Sequence, residues 1–522
     1  MSLIGALNTA LSGLRVTQAS IAATSQNAAN VQTPGYSRKS VAQEAVALGD
    51  GLGGVRAGKL ERAYDAALMQ ELLRQESASG RLGVQDAFLA RIEALQGKPE
   101  DGTSFAARLT QMRDAFIQLQ SKPESAIFQS NVVERAADFA LVMNQVGGGY
   151  NDARQAAQDD IVKVVGQMNR LLQEIGDLDQ SIFRAGGGTS PDLLDRRDQR
   201  VRELAQIVDI RTVDRSDGTI VIMTRDGATL HNRVPTQIST RDAEIQPNSA
   251  YTGQPGGTIP AIRLGDPDTG PDITASLRGG SLGGLVELRD EILPRMQGEL
   301  DELAHKIASR FQGKDSTTRQ IPGLTFFTDV DGRTVPGDIS GNADYSHPST
   351  YVGFAARMRV AQAVLDDPSL VRYGDAGAPV TPPSGGSNPP DPVGGSTLFL
   401  KNVVDNVFGN RALDGQPHIA FNTASLGANP LRNLQSSMPT GLSVIDFAQQ
   451  LLVKHAGEAG KAADNAKAAK ATVENLALDY QNKTGVNLDD EVTRLVILQR
   501  SYAAQARVIS TVEQMFDALF QI

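Results

Sequence analysis

Two stretches at opposite ends of the chain repeat apolar side chains with helical spacing. Between Asn487 and Gln521, Leu495, Leu498, Tyr502, Ile509, Val512, Phe516 and Leu519 recur at steps of three, four and seven. That spacing lays one seam of a helix against a partner helix. Asn487 suits an N-cap, and Asp489, Asp490 and Glu491 crowd the first turn, where the helix dipole favours negative charge. At the other end Leu3, Leu7, Ala10, Leu14, Thr17, Ile21, Thr24 and Ala28 keep the same spacing. Thr33-Pro34-Gly35 closes that run, because proline disfavours helical backbone in the residue before it. At about 1.5 Å per residue each helix is roughly 45 to 50 Å long, so the two ends match and predict a coaxial pair. Within the first 30 residues only Arg15 is charged, whereas a solvated helix face normally carries Lys and Glu. The uncharged back of this helix is therefore expected to be covered by copies of the chain or by relatives. Both ends are expected to be frayed in the isolated monomer and to fold on assembly.

The interior of the chain changes period twice. Helical spacing predicts helices over Tyr64 to Leu95, Ser104 to Leu119, Ala126 to about Phe183 and Asp192 to Ile207, with a break expected at Gly147-Gly148-Gly149. From Val208 the period is two: Val208, Ile210 and Thr212 alternate with Asp209, Arg211 and Val213, and Asp217-Gly218 and Asp226-Gly227 supply hairpin turns. A mainly β insertion is expected as far as about Arg278. Helix returns from Ser281 to Phe311, where Pro294 predicts a kink, and from about Leu442 to Gln481. Residues 37–62 read as short, irregular and glycine-rich, a turn or hairpin. Gly49-Asp50-Gly51-Leu52-Gly53 lacks the full spacing of a nucleotide-binding loop. Residues 312–440 sustain no period. Gly374 to Ser396 holds six Pro and six Gly, an exposed loop, and Thr325 to Phe327, Thr397 to Leu400 and Ile419 to Phe421 are expected strands.

The fold class is thus mainly α with β insertions: a terminal helical coiled-coil pair, an elongated helical bundle and one or two inserted β-rich domains. The expected divisions are 1–62 with 482–522 for the terminal pair, 63–207 with 281–311 and 441–481 for the bundle, 208–280 for the first insertion and 312–440 for a second segment. A length of 522 residues exceeds one core and predicts two to four domains. The formal charge of -10 and the lack of any Lys/Arg cluster argue against a nucleic-acid surface. There is no cysteine, so no disulfide framework, thiolate nucleophile or Cys-metal site is available. No basic residue precedes Arg15, and Asn8, Thr9, Ser12 and Gly13 interrupt the first apolar stretch, which argues against a signal peptide. No run approaches the ~20 apolar residues of a membrane span.

Candidate chemistry is sparse. His231, His305, His347, His418 and His455 are scattered and read as core or solvated residues. Asp329-Val330-Asp331-Gly332 lacks the remaining ligands of a calcium loop. Asp366-Asp367 and Asp489-Asp490 are adjacent pairs whose side chains point apart, and no Gly-x-Ser-x-Gly elbow is present. No catalytic, cofactor or metal site is expected, and the chain reads as a non-enzyme.

Two terminal motifs carry a resemblance. Asn27-Ala28-Ala29-Asn30-Val31-Gln32-Thr33-Pro34-Gly35-Tyr36-Ser37-Arg38 resembles the N-terminal signature of bacterial flagellar axial proteins, and Ser501 to Asp517 is similar to their closing motif. The Tyr36-Ser37-Arg38 ending resembles the hook-associated protein 1 branch, the subunits of the hook-filament junction. Residues 208 to 278 and the stretch Met358 to Leu370 also resemble elements of that branch. The resemblance implies that the terminal helices form an inner tube, the bundle an outer layer and the β parts the surface. It implies an assembly interface carried by Leu3, Leu7, Leu14, Ile21, Asn27, Asn30, Pro34, Gly35, Tyr36, Leu495, Leu498, Tyr502, Ile509, Val512, Phe516 and Leu519. The implied partners are further copies of the chain, the hook protein, the second hook-associated junction protein and an export chaperone on the C-terminal helix. Export would follow the flagellar type III pathway, without a cleaved signal, to the extracellular flagellum. The alternatives are another axial subunit such as hook protein or flagellin, a flagellum-borne surface hydrolase with its site in residues 208–440, and a cytoplasmic coiled-coil scaffold.

Overall fold

A computed structural model describes residues 3–48, 51–98, 102–187, 190–251, 253, 258–312, 323–330, 335–336, 350–374, 398–412, 415–428 and 433–520. The chain ends pair as the seam spacing requires. Helix α1 (Leu3–Ala29) lies antiparallel to the C-terminal helix (Leu488–Phe520), with Thr17 opposite Gln505 and Asn27 opposite Glu491. Asn487 caps the latter: its side chain accepts from the Asp489 amide at 3.0 Å.

Strands β1 (Lys39–Leu48) and β2 (Gly51–Arg62) form an antiparallel hairpin in register from Lys39–Arg62 to Leu48–Gly51, with irregularities between Val41 and Gln43 and between Ala45 and Ala47. These strands are far longer than the short irregular stretch expected from their Gly, Ala and Gln content. They form because the hairpin lies along α1. Gly54, at φ +110°, lets β2 approach so closely that a Cβ there would sit 2.5 Å from Ser12 Oγ, and the Val55 amide donates to that same oxygen at 3.2 Å.

The bundle comprises α2 (Ala66–Gln96), α3 (Phe105–Ser121), α4 (Ala126–Arg184) and α5 (Pro191–Ile207), joined later by α6 (Gly280–Glu287) and α7 (Leu293–Phe311). Asp65 and Ser104 accept from the Leu68 and Ala107 amides and start α2 and α3. The expected break at Gly147-Gly148-Gly149 does not occur, and α4 runs unbroken for 59 residues. The glycines instead admit neighbours: a Cβ on Gly147 would meet the Ala356 backbone at 2.7 Å, and one on Gly149 would collide with the Leu95 side chain. Around Pro294 the helix widens into a π turn over Leu288–Ile292, just before the residue that lacks an N–H.

Between α5 and α6 a four-stranded antiparallel meander runs in sequence order: β3 (Ile210–Asp214), β4 (Ile220–Thr224), β5 (Thr229–Asn232) and β6 (Val234–Pro235). A small pair, β7 (Ile238–Ser239) and β8 (Arg263–Leu264), follows. Ile210, Ile220, Ile222 and Leu230 join the same buried cluster as Leu204, Met168 and Leu172 of the helices, so sheet and bundle share one core.

Beyond α7 the described segments are short: β9 (Phe327–Thr328) pairs with β10 (Arg359–Val360), followed by α8 (Gln362–Asp366), α9 (Leu370–Tyr373) and α10 (Leu398–Asn402), the last running into a π turn at Val403–Val407. Two strand expectations fail here. Leu398 to Leu400 is helical because Phe399, Leu400, Val403 and Val407 are buried at helical spacing, and Ile419 to Phe421 joins no strand, since Phe421 stacks on Phe447 at 3.9 Å between centroids. Within the Pro/Gly-rich loop only Gly374 is described, and Thr397, Asp331, Gly332, His347, Gly49 and Asp50 also lie outside the described residues. The chain then returns through α11 (Val444–Thr484), which packs along α2, to α12, the Leu488–Phe520 helix.

Candidate assembly site: the terminal rod and its joint

The seam between α1 and α12 is narrower and more polar than the apolar repeat suggests. Among the described side chains of α12 only Glu491 and Val512 are buried; Leu495, Leu498, Ile509 and Phe516 are half-buried, while Tyr502 and Leu519 are 37% and 61% exposed. Gln505 takes an inward place, accepting from Thr17 Oγ1 at 3.2 Å and lying over Gly13, where a Cβ would be 3.0 Å from its amide nitrogen. Glu491, Leu498, Gln505 and Val512 are seven residues apart, so the heptad row itself was the signal for the two polar members, which a search for apolar residues passes over.

On α1, Leu3, Leu7, Leu14 and Ile21 are half-buried, and the fully buried positions are small or polar: Ala10, Val16, Thr17, Ser20, Ala23, Thr24 and Asn27. Part of the uncharged back is covered by the hairpin of the same chain, a cover that the sequence reading did not include. Ile4 and Leu11 remain exposed.

Asn27 closes the rod. Its amide donates to the Lys39 carbonyl at 2.8 Å and to Glu491 Oε2 at 3.2 Å, and its oxygen accepts from the Lys39 amide at 2.9 Å and the Tyr36 hydroxyl at 3.0 Å. Asn30 is half-buried and bonds within the turn, Pro34 and Gly35 are exposed, and Gly35 takes φ +75°. Tyr36 is half-buried, and burial followed by the Asp195 and Glu491 carboxylates pushes its hydroxyl up to about 12.

Behind that turn, α5 presents Asp192, Asp195 and Asp198 on one face. Asp195 accepts from the Ser37 amide at 3.2 Å and hydroxyl at 2.6 Å and from Arg62 at 3.1 Å; Arg62 also reaches Asp198 at 2.7 Å, and buried Lys39 pairs with Asp192. Burial opposes the Arg62 charge, but Asp198 and Asp195 more than offset it and raise its pKa. A cavity of about 340 Å³ opens beside this cluster between the Thr33–Ser37 turn, α5 and the end of α11. Its charged groups are already paired with one another, which suits a protein joint rather than a reaction centre.

Elsewhere the polar clusters are structural. His455 bonds Glu299 at 2.7 Å and Tyr150 at 3.0 Å, and His231 bonds Asp179 at 2.9 Å, all within the packed core. His305 stacks on Tyr351 at 4.1 Å, and His418 bonds the Asn406 carbonyl at 2.7 Å. Asp329 pairs with Arg357 at 3.0 Å, and Asp367 accepts from Ser369. Among the described residues no group of His and carboxylates could hold a metal ion, and no helix is long and apolar enough to cross a membrane.

Comparison with known proteins is consistent at both ends and in the middle. Residues 89–326 match the family model of the flagellar hook-associated protein FlgK helical domain, and residues 479–522 match that of the flagellar basal body rod FlgEFG protein C-terminal. Flagellar hook-associated protein 1 of Escherichia coli K12 is 26% identical over 562 residues, 99% of each chain. Its namesake in Bacillus subtilis 168 is 21% identical, over 98% of this chain and 96% of that one. The solved flagellar hook junction protein FlgK from Burkholderia pseudomallei aligns at 21% identity and TM-score 0.41 over 51% of this chain and 45% of that chain, a likeness that carries no argument. Relatives that align from end to end at 21% to 26% identity, and a helical-domain match over residues 89–326, make this chain similar to the flagellar hook-associated protein 1 family.

Proposed function

We propose that the chain is a structural subunit joining hook to filament in the bacterial flagellum, assembling through its terminal rod and performing no catalysis. The observation that carries this reading is the outer surface of α12: Val492, Val496, Ile497, Val508, Met515 and Leu519 are all exposed on a helix already paired with α1. A paired helix that still shows this much apolar surface is a contact surface for further chains. Contacts of that kind join different patches on successive subunits and build rings or helical tubes. The partners in this reading are copies of the chain, the hook protein on one side and the second hook-associated protein on the other. An export chaperone shields α12 before secretion through the flagellar type III pathway, without a cleaved signal, because the free stripe is an aggregation hazard. The Leu495, Leu498, Ile509, Val512 and Phe516 seam aligns the rod, and Tyr502 and Leu519 face the neighbours.

Deletion of Asp489–Ile522 tests the proposal. Cells carrying it are expected to spill filament subunits into the medium while the truncated protein keeps the melting transition of its bundle. Normal filaments on cells making only the truncated chain would overturn it.

A further inference from the structure

The rod and the bundle are joined covalently at two short crossings, Ala63 to Asp65 and Gly485 to Asn487. Two linkers side by side leave one rotation free, as a two-pin hinge does. The turn between α1 and β1 supplies a third support away from that line. We propose that the Thr33–Lys39 turn is a lock that fixes the angle between rod and bundle before assembly, with Asp195 as its shared acceptor.

The contacts make a continuous chain from bundle to rod. Asp195 holds both ends of the hairpin base, through Ser37 beside β1 and Arg62 at the end of β2. The Lys39 ammonium sits 4.2 Å over the Tyr36 ring while paired to Asp192, and the Tyr36 hydroxyl reaches Asn27, which holds Glu491 of α12. The Arg38 amide donates to the Thr484 carbonyl at 2.8 Å, and the Ala63 amide to the Arg38 carbonyl at 2.8 Å, so both crossings are stitched to the same turn. The Arg62 and Asp195 side chains that form the central ion pair are 11% and 9% exposed, and Lys39 is buried although its partner Asp192 is not. Buried ion pairs contribute little net stability against an apolar replacement, but they penalise every geometry in which a partner is left alone. That asymmetry selects one orientation rather than strengthening the fold. The value of a preset angle rests on the assembly reading above; the lock itself does not.

The cysteine-free chain allows a direct measurement in the full-length protein. Spin labels at Ser25→Cys on α1 and Ala90→Cys on α2, both exposed, span the joint; labels at Ala90→Cys and Gln167→Cys lie within the bundle. The unsubstituted joint is expected to give one narrow distance distribution, and Asp195→Ala at least to double its width while the bundle pair stays unchanged. A broad distribution without substitution, or an unaltered one in Asp195→Ala, overturns the lock. If Asp195→Ala disturbs the bundle pair, Ser37→Ala and Arg62→Gln each remove one arm, and unaltered widths in both overturn it equally. Attachment to hooks in cells separates the two claims. A narrow joint on a protein that never joins a hook keeps the lock and removes the assembly reading, and a broad joint on one that does removes the lock.

Discussion

The bundle and the terminal rod are both helical, yet they bury different things. The bundle hides Phe116, Phe311, Phe326 and Phe408 in a cluster with ring centroids 4.8 to 6.0 Å apart, and it satisfies its buried charges internally. Glu299 shows how: His455, Lys454 and Arg295 converge on it from α7 and α11. The rod buries small side chains on α1 and leaves eight large apolar residues of α12 exposed. A finished helix covers its apolar stripe and solvates the rest; an unfinished one carries apolar residues on faces that its own chain does not cover. The difference separates a region that covers its own apolar residues from one that leaves many of them exposed.

That contrast can be broken from either side. The largest effect is expected in the core: Phe116→Ala should lose about 3 to 5 kcal/mol of unfolding free energy in urea titration, since its four-ring cluster cannot collapse around the cavity. Next comes Glu299. Burial works against its charge, but His455, Arg295 and Lys454 together hold the carboxyl well below the ordinary glutamate range. Because the folded pKa is depressed, the unfolded chain binds the extra proton, so the Glu299 contribution is full at neutral pH and is lost as pH falls from the unfolded value toward the lower folded one. Acid titration of Glu299→Gln should show a flatter loss below about pH 4.5 than the parent. At the joint, Asn27→Ala leaves the Lys39 amide and Glu491 without their partner and should cost about 1 to 3 kcal/mol, read as faster amide exchange in residues 20–40 with little change in the bundle. The smallest effect on the monomer is Leu498→Asp, at a half-buried seam position: its melting should stay within about 1 kcal/mol of the parent while hook attachment in cells is lost. A monomer melting as sharply altered as in Phe116→Ala would place α12 within the self-sufficient core and dissolve the distinction.

Much of the architecture was legible in period alone. The 3.6-residue stripes over α2 to α5, α7 and α11 and the alternation from Ile210 to Thr224 gave element type to within a turn, because burial on one face imposes its period locally. Glycine misled twice for the same reason. Gly147 and Gly149 look like breakers, and the glycines of residues 37–62 suggest a hairpin far shorter and less regular than the one formed, but Gly147, Gly149 and Gly54 each face a close neighbour contributed by a distant part of the chain. Neither Ala356 above α4 nor Ser12 beneath β2 can be inferred from local pattern.

The amino-acid sequence by itself determined the paired, length-matched ends, the mainly helical class, the scarcity of reactive groups and the motif at residues 27–38. Tertiary structure alone decided that the hairpin lies on α1, that Glu491 and Gln505 enter the seam, and that Asp192 and Asp195 of α5 meet the Thr33–Lys39 turn while Asp198 takes Arg62. The reason is the range of the forces involved. Hydrophobic burial is non-directional and leaves a periodic trace wherever it acts, whereas a buried polar side chain is placed by one particular partner, and Asn27 finds Glu491 at a separation of 464 residues.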